Sequence, residues 1–125
     1  MRKRTILNCT FILSGLLFLS CNQSGINFKI VNTTNSIVDS LSISPSTGIK
    51  KNYISLLPKD SSEYFADMSG MPTQDGHYII SYKLNGKRIA RGFGYFTNGY
   101  PLEKEISLKI ESDTVIAYDR KARNH

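Results

Sequence analysis

From Ile26 onward the chain alternates apolar and polar residues in short runs, each stopped by a cluster of Pro, Gly, Asn or Asp. Ile26, Phe28 and Ile30 are spaced by Asn27 and Lys29, and Ile106, Leu108 and Ile110 by Ser107 and Lys109. A period of two residues puts the apolar side chains on one face of an extended strand, whereas an amphipathic helix needs a period of about 3.6. No stretch after the first 20 residues carries the helical period. Helical bundles are therefore excluded, and 125 residues are too few for a TIM barrel or a doubly wound nucleotide-binding fold.

The runs place strands at 26–31, 37–43, 49–57, from Glu63 to Ala66, 77–84, 87–96, 106–110 and 114–118. Asn32-Thr33-Thr34-Asn35 and Pro45-Ser46-Thr47-Gly48 separate the first three. Pro58-Lys59-Asp60-Ser61 suits a type I turn, and Asp67 to Gly76 is the longest loop. Asn85-Gly86 tolerates the two positive φ values of a type I′ turn and predicts a hairpin with Tyr82 opposite Ile89 and Tyr78 opposite Phe93. Seven to eight antiparallel strands at this spacing describe an all-β fold, a single β-sandwich of the immunoglobulin-like or transthyretin-like kind, with an open barrel as the alternative. The Cys, Trp and Cys core of antibody domains is absent, so the likeness is architectural and implies no function.

The N-terminus is built differently. Arg2, Lys3 and Arg4 precede Thr5 to Ser20, a mainly apolar stretch that ends at Cys21. As a helix those residues would rise only about 24 Å, short of the roughly 30 Å hydrocarbon core, so a cleaved export signal fits better than a spanning helix. Phe18-Leu19-Ser20-Cys21 resembles the lipobox of bacterial lipoproteins cut by signal peptidase II, although that family prefers Leu where this chain has Phe18. The resemblance covers roughly the first 22 residues. It implies a signal peptide at 1–20, lipidation of Cys21, a tether at 21–25, a domain at 26–118, and anchorage in a bacterial cell envelope. Asn22 rather than Asp after the cysteine implies, as in relatives with the enteric type of sorting, transfer to the outer membrane, and Asn22-Gln23-Ser24-Gly25 lacks the acidic run that some lipoproteins use for surface export, which favours the periplasmic face.

The formal charge of +6 suggests nucleic acid, but Arg2, Lys3 and Arg4 leave with the signal, so 13 basic residues face 10 acidic ones. Arg120, Lys121 and Arg123 then concentrate the excess in a basic flexible tail at 119–125, and the body is almost neutral. Arg91-Gly92-Phe93-Gly94-Tyr95-Phe96 resembles the start of an RNA-binding RNP1 strand, but Phe96 and Asn98 break the pattern and the two helices of that fold have no counterpart. No nucleic-acid partner is expected. With Cys9 in the signal and Cys21 lipidated, the domain holds no thiol and must be stabilised by burial alone.

Catalytic, cofactor and metal sites are expected to be none. The body has one histidine, His77, in a turn; Glu103 and Glu105 lie on one strand face but alternate with Lys104 like a solvated edge. The hairpin register opposes Lys83 and Arg88 and leaves Arg91 opposite Ile80, where it must snorkel or pair with an acid. Lys83, Arg88, Tyr95 and Tyr100 form the candidate partner surface, because Tyr and Arg dominate binding interfaces. The expected function is that of a lipid-anchored, non-enzymatic module that binds an envelope protein or glycan. The alternative is a small envelope hydrolase or lipid-handling protein with a site assembled from distant residues.

Overall fold

The computed structural model describes residues 24–47 and 52–123, which form nine strands and no helix. They are β1 (Gly25–Asn32), β2 (Val38–Ser44), β3 (Ile54–Leu56), β4 (Ser61–Asp67), β5 (Gly76–Leu84), β6 (Lys87–Thr97), β7 (Tyr100–Pro101), β8 (Glu103–Ile110) and β9 (Val115–Ala122). One sheet has the order β4-β1-β8-β9 and the other β3-β2-β5-β6-β7. Alternate residues of the facing strands meet between them. Ile26, Phe28, Ile30, Tyr64, Ile106, Leu108 and Ile110 come from the first sheet, and Leu41, Ile43, Tyr78, Ile80 and Tyr82 from the second, all buried. The fold is a β-sandwich, as the alternation predicts. Aromatic rings fill one end of the core, with Phe28 edge-on to Tyr78 at 5.3 Å and to Phe93 at 5.6 Å between centroids.

The predicted hairpin forms in the predicted register: Tyr78 faces Phe93, Ile80 faces Arg91, Tyr82 faces Ile89, and Lys83 faces Arg88. Its turn has φ 53° at Asn85 and 79° at Gly86, the two left-handed residues of type I′. A second Asn-Gly pair, Asn98 and Gly99, has φ 53° and 75° and folds β7 back so that Tyr100 pairs with Thr97.

Elsewhere the structure departs from the sequence expectation. There are nine strands, because the two-residue β7 adds to the expected eight, and they are not all antiparallel: β1 pairs β8 in parallel, with Phe28 beside Ile106. Alternation reveals which face of a strand is buried but not the direction of its neighbour, so this pairing leaves no local trace. At Pro58 the turn is Leu57 to Asp60, closed by Asp60 N–H donating to the Leu57 carbonyl at 3.1 Å. With φ 65° at Lys59 it is type II rather than type I. Of the third predicted strand, Ile54–Leu56 is paired, while residues 49–51 lie outside the described residues. The last strand does not stop at Tyr118. It continues to Ala122, so most of the expected flexible tail is ladder, with Arg120 beside Ile106 and Lys121 beside Glu105. Cys21 and the signal segment also lie outside the described residues.

Candidate functional site

Where the four predicted surface residues fall is decided by one irregularity in β6. Tyr78 pairs with Phe93, but Gly76 pairs with Phe96, so β6 holds one more residue than β5 over this interval. The extra residue is accommodated at Gly94, whose φ of 67° is left-handed. The bulge reverses the alternation. Phe93 and Phe96 both turn inward, Phe96 packing 5.5 Å from Tyr78, and Tyr95 turns out to solvent at 47% exposure.

Tyr95 and Tyr100 therefore sit together at the end of the sandwich where β1 begins, while Lys83 and Arg88 sit beside the Asn85-Gly86 tip at the opposite end. Seven residues of β6 separate Arg88 from Tyr95, roughly 23 Å at about 3.3 Å per residue. The four do not make one patch. Tyr95 also has a local role, since its hydroxyl donates to Asp75 Oδ2 at 3.1 Å. Asp75 Oδ1 accepts from Thr97 Oγ1 and from the Asn98 N–H, both at 2.9 Å, which fixes the Asn98-Gly99 turn. The Asn98 N–H, then the Thr97 and Tyr95 hydroxyls, hold the Asp75 carboxyl below its usual value of 3.8, and the bond to Asp75 raises Tyr95. Arg91 snorkels: its guanidinium donates to the carbonyls of Ala90 at 3.1 Å and Asp113 at 3.5 Å.

At the β1 end the structure assembles a polar cluster that the sequence did not suggest. Arg123 N–H donates to the Leu102 carbonyl at 3.4 Å, and its guanidinium donates to the Gly25 carbonyl, tying the last strand to the first. Tyr78 Oη, Glu103 Oε1 and Arg123 Nε are buried nearby without hydrogen-bond partners among the described residues. Burial chiefly, and the Glu103 carboxylate next, raise the Tyr78 phenol above its ordinary value, opposed by Arg123. Glu103 and Glu105 are thus not a free carboxylate pair. Glu103 meets Arg120 at 3.5 Å, and Glu105 meets Lys121 at 3.5 Å and Lys29 at 3.8 Å.

The outer face of the β4-β1-β8-β9 sheet carries an open groove of about 570 Å³, lined by Lys29, Val31, Ser61, Ser62, Glu63 and Tyr118. The strand order brings these distant residues together: Lys29 lies beside Glu63 on one side and Ser107 on the other, with Ser107 beside Asp119. Tyr118 is 55% exposed and has the Lys109 ammonium 5.3 Å from its ring centroid. Such a cation over an aromatic face steadies the ring. The Glu63 carboxylate is held by the Asn27 amide at 2.6 Å. The groove thus combines an aromatic wall, an apolar floor at Val31 and a rim of hydroxyl, ammonium and carboxylate groups. None of its residues was singled out from the sequence, because their proximity depends on strand order.

His77 lies on the outer face of the other sheet, its ring packed over Gly92, and it does not line this groove. Among the described residues, no three His, Cys, Asp or Glu side chains converge as metal ligands would. Comparison with protein-family models and with curated proteins finds no match for this chain.

Proposed function

We propose that this is a lipid-anchored envelope protein that acts by binding, and that its ligand is a glycan held in the groove of the β4-β1-β8-β9 sheet. The observation that carries the reading is that the exposed Tyr118 lines one groove together with Val31 and the polar side chains of Lys29, Ser61 and Glu63. A sugar ring presents an apolar face that stacks on an aromatic ring and a perimeter of hydroxyls that both donate and accept. The groove offers the counterpart of each. Its volume falls in the range of roughly 300–1,000 Å³ typical of small-ligand sites. In this reading residues 1–20 are removed, Cys21 carries the lipid, and the sandwich is displayed at the outer membrane toward the periplasm. The lipobox-like Phe18 to Cys21 supports that part. Export also fits a domain in which neither cysteine lies between Asn22 and His125.

The test uses the full lipidated protein in detergent micelles, titrated with peptidoglycan fragments and with lipopolysaccharide-derived oligosaccharides by calorimetry. Tyr118→Ala is expected to weaken binding by about tenfold, equivalent to about 1.4 kcal/mol, without lowering the melting temperature. Absence of saturable binding to either glycan, or binding indifferent to Tyr118→Ala, would overturn the glycan assignment. The anchor is tested separately. Mass spectrometry of the mature N-terminus is expected to find Cys21 carrying acyl chains, and Cys21→Ser is expected to abolish the modification.

A further inference from the structure

The two ends of the sandwich differ in what they expose. Around the point where β1 begins, the loop after β4, the Asn98-Gly99 turn and the start of β8 form a rim. Met68 N–H donates to the Ser24 carbonyl at 2.9 Å, and the Phe65 ring crosses Gly25. Gly99 N–H donates to the Gln74 carbonyl at 2.7 Å, with Met71 and Pro72 packed against Gly99. The rim exposes Tyr100 at 61% and Leu102 at 47%, with Phe65 also exposed. The end of β9 adds Arg120 and Lys121, whose side chains stay half-exposed beside their partners Glu103 and Glu105. Aromatic rings with a polar tip, a few aliphatic groups and basic side chains are the composition that settles at the headgroup level of a bilayer.

We infer that this rim is a membrane-contact face that rests on the lipid headgroups, so that Tyr100 and Leu102 enter the interface. The inference rests on the lipidation of Cys21 proposed above. Cys21 precedes Gly25 by four residues, a covalent reach of at most about 14 Å, so a lipid on that cysteine keeps the β1 end close to the surface. Leu102 shares with Gly25 the contacts of Arg123, so it is held at that same end. The interfacial layer is about 5–8 Å deep on each side of the hydrocarbon core, within the span of an exposed Tyr or Leu side chain. The opposite end also exposes apolar groups, Ile37 and Leu57, but without rings, and it lies roughly 23 Å away along β1 from Gly25 to Asn32. An orientation with the Gly25 end down stands the strands upright and leaves the Tyr118 groove facing sideways, clear of the bilayer.

The chain contains no Trp, so single-Trp variants report depth without background. Full-length Tyr100→Trp, Leu102→Trp and Leu57→Trp proteins, purified with their lipid, would be placed in vesicles of phosphatidylethanolamine and phosphatidylglycerol with brominated acyl chains. The expected result is blue-shifted emission and quenching about twofold or more stronger at positions 100 and 102 than at 57. If mass spectrometry finds Cys21 acylated and vesicles retain the protein, yet Trp at 100 and 102 stays unquenched, the domain rides clear of the bilayer; the inference is then wrong while the anchor stands. Stronger quenching at 57 would reverse the orientation. An unacylated Cys21 overturns the inference and the anchor together. Should Tyr100→Trp unfold by circular dichroism, Leu102→Trp alone decides the outcome.

Discussion

Asn32 is fully buried at the end of β1 and uses all of its hydrogen-bonding capacity across three chain segments. Its amide N–H groups donate to the carbonyls of Ser36 at 2.8 Å, Leu57 at 3.1 Å and Leu56 at 3.3 Å, and its Oδ1 accepts from the Thr34 N–H and hydroxyl. One side chain thereby fixes the β1–β2 turn against the end of β3. Asn32→Ala would leave the Leu56 carbonyl without a donor in a buried site and those of Ser36 and Leu57 in partly buried ones, and is expected to cost about 2 kcal/mol in denaturant melts. Asn32→Asp should cost more, since a carboxylate donates nothing to them. Asp75 works similarly at the surface of the opposite end, and its contribution depends on pH. Its folded pKa is lowered by the Asn98 N–H and by the Thr97 and Tyr95 hydroxyls. A depressed carboxyl contributes stability that is full above its unfolded pKa and is lost as the pH falls through the folded one. The melting difference between the parent and Asp75→Asn should therefore be constant at neutral pH and shrink below about pH 4. A difference unchanged down to strongly acidic pH would show that the carboxylate does not hold the turn.

Among the elements, β6 shows how a single backbone position redirects a surface. Plain alternation from Arg91 would place Phe93 and Tyr95 on one face and Gly94 and Phe96 on the other. The bulge at Gly94 puts both phenylalanines inside and Tyr95 outside. A Cβ at Gly94 would lie 2.8 Å from Tyr78 Cδ2, on a backbone with φ 67°. Gly94→Ala thus combines left-handed strain with a clash against a buried ring, and should destabilise by about 2–4 kcal/mol. A change under about 0.5 kcal/mol would mean that the bulge moves freely. The same strand explains what could be read in advance. The Asn85-Gly86 hairpin was legible because its signal is local and its register follows from turn length. The Asn98-Gly99 turn carries the same dipeptide, but no hairpin was expected there, because its return strand is only two residues and shows no alternation. Glycines within an aromatic strand are compatible with a bulge but do not fix its position, because the inward choice between Tyr95 and Phe96 depends on the facing Phe28 and Tyr78.

For the whole molecule, sandwich architecture followed from the alternation, whereas the candidate sites did not. The predicted surface was drawn along one hairpin and joined residues that stand at opposite ends. The groove joins Lys29, Glu63 and Tyr118, which are brought together only by the order β4-β1-β8-β9 and its parallel pair. Charge misled in the same way at the C-terminus, where Arg120, Lys121 and Arg123 resemble a solvated tail. In the folded sheet, Arg120 and Lys121 meet Glu103 and Glu105, and Arg123 closes the sheet onto Gly25 and Leu102. Each exposed ion pair is worth little, but the backbone pairings of Asp119 to Ala122 with Ser107 to Glu103 are ladder bonds worth about 0.5–1.5 kcal/mol apiece. Their loss would also remove the contact of Arg120 with Glu103 and that of Arg123 with Gly25. A protein ending at Tyr118 is therefore expected to be less stable by about 2 kcal/mol or more, a fall of about 8 °C or more in melting temperature. Arg123→Ala should show a smaller loss of the same sign, since it removes the contact with Gly25 and keeps the ladder. A truncated chain that melts with the parent would instead make residues 119–125 a dispensable end, as their composition alone suggests.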